Sequence, residues 1–178
     1  MKKLSKISLV FTLLITLICT QFTGGISAKA ATEDQLGLKA AAAILLDAET
    51  GKILYEKNAD EVLGVASMSK MMTEYLVLEA IAEDKIAWDD EVLISEYVHN
   101  LSKGAGLSNI GLTQGETYTV KELYEAMAIF SANAATVALA EKVSGSETNF
   151  VKLMNKKAGE LGMKDYTFVN ASGLNNSD

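Results

Sequence analysis

Apolar and polar positions along the chain alternate with three different rhythms. Ile7 to Cys19 is an apolar run of thirteen, broken only by Ser8, Thr12 and Thr16. Lys2, Lys3 and Lys6 precede it, and Ala28-Lys29-Ala30 follows. A positive start, a short apolar stretch and a small-x-small site form the pattern of a secretory signal peptide. Thirteen residues fall short of the roughly 20 that a spanning helix needs. Residues 1–30 are therefore expected to be a signal peptide cleaved after Ala30, and the chain is expected to be exported. Ile18 is too bulky for the small residue that a lipoprotein signal places before its cysteine.

The second rhythm is short. Ala31 to Lys39 is a polar lead-in. Ala41 to Asp47 is apolar and ends in Asp47-Ala48-Glu49-Thr50-Gly51, and Lys52 to Glu56 follows. Two short apolar runs around such a turn predict a β-hairpin. Asn58 to Gly64 is a polar crossing.

The third rhythm is helical. Met68, Met71, Met72, Tyr75, Leu76, Leu78 and Ile81 predict a largely buried helix over Ser67–Ala82. Lys85–Ile94 is mixed, with room for a short strand. The polar stretch Tyr97–Lys103 and the glycine-rich Asn100–Gly115 read as loop, which makes His99 a bland loop residue. Thr119-Val120-Lys121-Glu122 is a capping box that opens a helix to about Phe130. Further helices are expected over Asn133–Val143, ending at Ser144-Gly145, and from Ser146 to a left-handed cap at Gly162. Tyr166–Val169 reads as extended.

Composition narrows the function. The 178 residues are 49% hydrophobic and 22% charged, enough apolar content for a core. All 16 basic residues are lysine, against 23 acids, for a formal net charge of −7. Loss of residues 1–30 would remove four lysines and no acid, leaving 12 lysines against 23 acids, a charge of −11. An acidic, arginine-free chain is a poor nucleic-acid binder. One cysteine, Cys19, lies in the signal segment, so the exported chain has no thiol chemistry and no disulfide. One histidine, His99, argues against a multi-histidine metal centre. The acidic run Asp89-Asp90-Glu91 reads as a solvated face.

The residues left for chemistry are few. Ser67-Met68-Ser69-Lys70 stands at the start of the first long helix. Residues three apart share a helix face, so Ser67 and Lys70 can touch. A serine hydroxyl is a weak nucleophile until a base takes its proton. A lysine can be that base if burial lowers its pKa. The methionines around Lys70 suggest such burial, although Ser-x-x-Lys alone also fits a solvated helix surface. Ser131-Ala132-Asn133 lies between two predicted helices. Its serine could relay a proton and its asparagine could hold an amide; either could equally be a helix cap.

Together the two clusters resemble the Ser-x-x-Lys and Ser-x-Asn motifs of serine β-lactamases and penicillin-binding proteins. The chain is most similar to exported low-molecular-mass penicillin-binding proteins, the D-alanyl-D-alanine carboxypeptidases of the bacterial cell wall. Ala43–Tyr55 resembles that family's opening hairpin and Ala66–Thr73 its nucleophile helix. Ser131–Ala135 resembles its second motif, and Phe168–Leu174 its Phe-x-Asn-x-x-Gly-Leu segment. Val65 stands where many members have proline. No Lys-Thr-Gly, the family's third motif, occurs between Asn133 and Asp178.

The resemblance implies an α/β (α+β), β-lactamase/transpeptidase-like fold. This chain would carry the N-terminal hairpin and the helical region, residues 31–178. The later strands, any further domain and any C-terminal membrane anchor would lie outside it. It also implies an acyl-serine mechanism: Ser67 as nucleophile, Lys70 as base, Ser131 as proton relay and Asn133 as substrate-amide ligand, with no metal or organic cofactor. The implied partners are a peptidoglycan stem peptide ending in D-Ala-D-Ala and β-lactam antibiotics, on the extracytoplasmic side of a bacterial membrane. The alternatives are a serine β-lactamase, against which stand the Ser131-Ala132-Asn133 motif and the placement of Glu147 and Glu160 within a predicted helix rather than on a deacylating loop, and an inactive truncated or degenerate binding module.

Overall fold

The hairpin forms where the apolar runs flank the turn. In the computed structural model, which describes residues 36–174, β1 (Ala43–Leu46) pairs antiparallel with β2 (Ile53–Lys57). The register runs from Ala43 opposite Lys57 to Leu46 opposite Ile53, with an irregularity at Leu45/Leu46. Asp47 Oδ1 accepts from the backbone N–H of Thr50 at 2.8 Å, an Asx-type turn that sets the reversal. Gly51 completes it at φ 68°, a conformation that costs glycine nothing. The signal-peptide segment expected at residues 1–30 lies outside the described residues. The chain divides into two compact units at Glu61/Val62, and the hairpin belongs to the first.

The second unit is mostly helical. A 3₁₀ turn (Ala66–Ser69) leads into α1 (Lys70–Ala82). Next come β3 (Glu91–Leu93), α2 (Glu96–Ser102), β4 (Thr117–Thr119), α3 (Val120–Phe130), α4 (Asn133–Ser144) and α5 (Glu147–Glu160). β3 and β4 pair antiparallel, Val92 opposite Tyr118.

Most predicted elements are present. The capping box at Thr119 makes both of its hydrogen bonds: Thr119 Oγ1 accepts from the Glu122 N–H at 3.2 Å, and Glu122 Oε2 from the Thr119 N–H at 2.8 Å. α4 stops at Gly145 (φ 78°), and Gly162 follows α5 at φ 74°.

α4 is the hub. Every residue from Asn133 to Ala140 is buried, and its alanines let neighbours approach closely. One apolar cluster joins Val77, Leu123, Met127, Val137 and Leu139, with Val92, Ile94 and Val98 from β3, its flank and α2. The other joins Met72, Leu76 and Ala140 to Phe150, Met154 and Ala158 of α5.

Three expectations need correction. The first long helix does not begin at Ser67: residues 66–69 are a 3₁₀ turn and α1 starts at Lys70. Tyr97–Lys103 is not loop, because residues 96–102 form α2, capped by Ser95 Oγ accepting from the Val98 N–H at 3.2 Å. His99 is therefore a helix residue, and its Nδ1 lies 2.7 Å from the Leu112 carbonyl. Burial of Val98, rather than a clear apolar stripe, is what holds so short a helix. Tyr166–Val169 carries no regular secondary structure, and Asn155 of α5 holds Phe168.

Candidate active site

Ser67 and Lys70 are three residues apart across the junction of the 3₁₀ turn with α1. Side chains at that spacing nearly eclipse in 3₁₀ geometry, so both project to one side. Lys70 Nζ lies 3.1 Å from Ser67 Oγ. Ser67 is exposed, while Lys70 is only 3% exposed. The residue before the serine, Ala66, has φ 47°, a strained left-handed conformation for an alanine.

Two further oxygens complete the surroundings of Lys70. Its Nζ donates to Asn133 Oδ1 at 2.8 Å and to the Ser172 carbonyl at 2.9 Å. None of the three partners is a carboxylate. Burial, with no counter-charge to offset it, pushes the Lys70 pKa down.

Asn133 is held from its other side. Its Nδ2 donates to the Ser108 carbonyl at 3.0 Å, and so does its backbone N–H. Asn109 Oδ1 accepts from the Ala134 N–H at 2.8 Å, so the loop before β4 grips the first turn of α4. Ser131 ends α3 in the left-handed region, φ 53° and ψ 34°. Among the described residues no hydrogen bond joins it to Ser67, Lys70 or Asn133. The structure thus brings together three of the four expected site residues and leaves Ser131 at the edge.

The segment after α5 closes the site from below. Asn170 Oδ1 accepts from the backbone N–H groups of Ser172 (3.2 Å) and Gly173 (2.7 Å). Thr73 Oγ1 donates to the Ala171 carbonyl at 2.7 Å. Gly173 has φ 75°, and a Cβ there would overlap the Ala66 carbonyl. Two clefts flank this turn, one of about 460 Å³ beside Val65, Ala66 and Ser69 and one of about 340 Å³ beside Tyr97 and Glu147. Neither is lined by Ser67, Lys70, Ser131 or Asn133. Among the described residues no group of three acidic, histidine or cysteine side chains could hold a metal, and no helix is long and apolar enough to cross a membrane.

The family model of D-alanyl-D-alanine carboxypeptidase matches residues 28–178. The chain belongs to the D-alanyl-D-alanine carboxypeptidase family. It is 45% identical over 168 residues to the D-alanyl-D-alanine carboxypeptidase DacF of Bacillus subtilis, covering 93% of this chain and 42% of DacF. It therefore spans less than half the length of that relative. Among solved structures, a peptidoglycan synthesis regulatory factor (PBP3) from Streptococcus pneumoniae matches with a TM-score of 0.74 and 47% identity, over 77% of this chain and 38% of that one. Penicillin-binding protein D2 from Listeria monocytogenes, solved in its ampicillin-bound form, matches with a TM-score of 0.67 and 39% identity, over 80% and 55% of the two chains. The fold is thus the mixed α/β penicillin-binding, β-lactamase-like one, as the resemblance implied.

Sequence reasoning missed those parts of the candidate site that are main chain. The Ser172 and Ser108 carbonyls carry no residue-type signal. Ser172 lies within the Phe168–Leu174 segment that the resemblance singled out, but nothing in that segment pointed to a lysine acceptor.

Proposed function

We propose that the chain is the N-terminal portion of a serine-type D-alanyl-D-alanine carboxypeptidase that forms an acyl-enzyme on Ser67. The observation that carries this reading is the set of partners around Lys70 Nζ. A neutral amine has two hydrogens and one lone pair. Once Lys70 is neutral, Asn133 Oδ1 at 2.8 Å and the Ser172 carbonyl at 2.9 Å can accept its two hydrogens, which leaves the lone pair for Ser67 Oγ, 3.1 Å away. A burial-depressed pKa favours that neutral form.

In this mechanism Ser67 Oγ attacks the carbonyl carbon between the last two D-alanines of a peptidoglycan stem peptide. Its proton passes to Lys70 Nζ. The Ser67 backbone N–H donates to the developing oxyanion. The C–N bond then breaks, and Ser131 passes a proton to the departing D-alanine nitrogen. Asn133 orients Lys70, and the remaining hydrogen of its Nδ2 serves the substrate amide. Water hydrolyses the ester and releases Ser67. A β-lactam would open its ring amide on the same oxygen and leave a slowly hydrolysed acyl group.

The coverage of DacF supports a longer enzyme, in which a downstream Lys-Thr-Gly strand supplies the second oxyanion donor. The signal-like residues 1–30 support export to the cell-wall face of the membrane. A β-lactamase reading is disfavoured by Glu147, whose two carboxylate oxygens are engaged away from Ser67, by the Ala171 N–H at 2.9 Å and the Tyr97 hydroxyl at 3.4 Å. Glu160 is paired with Lys157 and Lys156.

In the full-length enzyme, Ser67→Ala should abolish both D-alanine release and covalent labelling by a fluorescent penicillin. Labelling that survives the substitution would remove Ser67 as the nucleophile.

A further inference from the structure

Of the three oxygens around Lys70, two belong to side chains and one to the main chain. A main-chain oxygen stays in place only if its turn does. The turn Asn170–Gly173 has four anchors. Asn170 Oδ1 takes the Ser172 and Gly173 N–H groups, Asn170 Nδ2 donates to the Leu174 carbonyl, and Thr73 Oγ1 donates to the Ala171 carbonyl. These are contacts within the turn or with α1. The fourth anchor comes from a different helix: Glu147 Oε1 accepts the Ala171 N–H at 2.9 Å.

Glu147 is the first residue of α5 and half-buried. Its other oxygen, Oε2, accepts from the Tyr97 hydroxyl at 3.4 Å. Eight residues along the same helix, Asn155 grips Phe168 twice: Oδ1 accepts the Phe168 N–H at 3.0 Å and Nδ2 donates to the Phe168 carbonyl at 2.8 Å. Eight helical residues cover about 12 Å. The chain that Asn155 and Glu147 grip, from Phe168 to Ala171, bends at Asn170 and Ala171. The two α5 side chains therefore hold the approach to the turn at two separate points, Phe168 and Ala171. Asn155 fixes its beginning, and Glu147 fixes the residue whose next carbonyl meets Lys70.

We propose that Glu147 is a positioning residue for Lys70, acting through the Ala171 N–H to fix the Ser172 carbonyl against Lys70 Nζ. The proposal rests on the acyl-serine reading above and deepens it. Glu147 does not touch the substrate or Ser67. It sets the direction in which the lysine lone pair points.

An acid in the first turn of a helix also has an ordinary explanation, since it complements the positive end of the helix dipole. The two explanations rank substitutions in opposite order. Glu147→Asp keeps the charge at the start of α5 but draws the oxygen back by one methylene, about 1.5 Å. Glu147→Gln loses the charge but keeps an oxygen at full length. If Glu147 positions Lys70, Glu147→Asp should slow acylation by fluorescent penicillin by about 10- to 100-fold, because misplacements near 1 Å cost up to about 10²-fold. Glu147→Gln should stay within about threefold of the parent. A dipole role predicts the reverse: a normal Asp variant and an impaired Gln variant.

The assay is the second-order labelling rate of the full-length enzyme, with thermal melting of each variant to establish that the fold is kept. Aspartate favours helix N-termini, so Glu147→Asp is expected to fold. Slow Asp with near-normal Gln supports the proposal. Normal labelling of the Asp variant, or equal slowing of both, overturns it while leaving the acyl-serine reading intact. A parent enzyme that no penicillin labels would overturn that reading and this inference with it.

Discussion

Lys70 at the start of α1 and Lys157 near the end of α5 carry the same side chain into opposite surroundings. Both are largely covered: Lys70 is 3% exposed as a residue, and the Lys157 side chain is 18% exposed. Lys157 Nζ lies 2.8 Å from Glu79 Oε1 and 2.9 Å from Glu160 Oε2, above the Tyr75 ring. Glu79 and then Glu160 raise its pKa. It sits in the last turn of a helix, where a cation complements the dipole. Lys70 meets only a hydroxyl and two amide-type carbonyls, and burial lowers its pKa. Burial alone therefore does not make a lysine a base. The absence of a carboxylate among its contacts decides the matter, because a carboxylate would hold the proton on.

Exchanging each lysine for arginine tests that contrast most severely. Arginine keeps the charge but cannot give up its proton at any usable pH. Lys70→Arg should lower the penicillin-labelling rate by about 10²–10⁴-fold, the range a positioned general base contributes. Lys157→Arg should leave it within a few-fold, because an ion pair needs only the charge. Comparable losses in the two variants would end the claim that the two sites differ in kind.

A pH profile sharpens the same comparison with a moderate effect. As the proposed base Lys70 must be unprotonated, so labelling should rise with pH along a limb that lies below the ordinary lysine value of about 10.4. Lys157→Arg should not move that limb. The stability consequence has a definite sign. A lysine with a lowered folded pKa binds fewer protons folded than unfolded. Its penalty is therefore full below the folded pKa and is relieved as pH rises toward about 10.4. A limb centred at the ordinary lysine value would show that Lys70 is not depressed and is not the base.

The contrast between the lysines also explains how much was legible in the sequence. The three-residue spacing placed Ser67 beside Lys70. The flanking methionines were a poor cue: Lys70 is buried, but Met68 and Met71 are each 65% exposed and only Met72 is buried. Thr119-x-x-Glu122, Gly145 and Gly162 marked helix ends because each satisfies a local backbone requirement. α2 was hidden because its seven residues bury little besides Val98 and sit in a polar stretch. β4 was hidden because three residues carry no period. At the site, the Ser172 and Ser108 carbonyls were invisible, since every residue has a carbonyl and only the fold selects which one points at Lys70. The role of Glu147 was invisible for the same reason: its partner is a backbone N–H 24 residues away. The hairpin was read correctly as a local pattern. Its apolar residues nonetheless stay about half exposed, Leu45 at 52% and Ile53 at 49%, unlike Leu123 or Phe150 at 0%.

The smallest effect is expected at the other end of the Lys157 pair. Glu79→Gln removes the stronger of its two carboxylate partners and leaves Glu160 in place. Partly exposed ion pairs contribute little, so melting should fall by a few degrees at most, and by less in high salt. The loss has a pH window at its alkaline end. Lys157, raised when folded, contributes stability that is full below the ordinary lysine value of about 10.4 and fades as pH climbs through its folded pKa. The difference between Glu79→Gln and the parent should therefore be visible near neutral pH and vanish in strong alkali, where Lys157 has lost its proton in both. Penicillin labelling should be unchanged throughout, since Lys157 supplies a charge and Lys70 supplies a lone pair. A Glu79→Gln enzyme that melts normally but labels slowly would mean that the ion pair on α5 reaches the nucleophile after all, and the separation of the two lysines would fail.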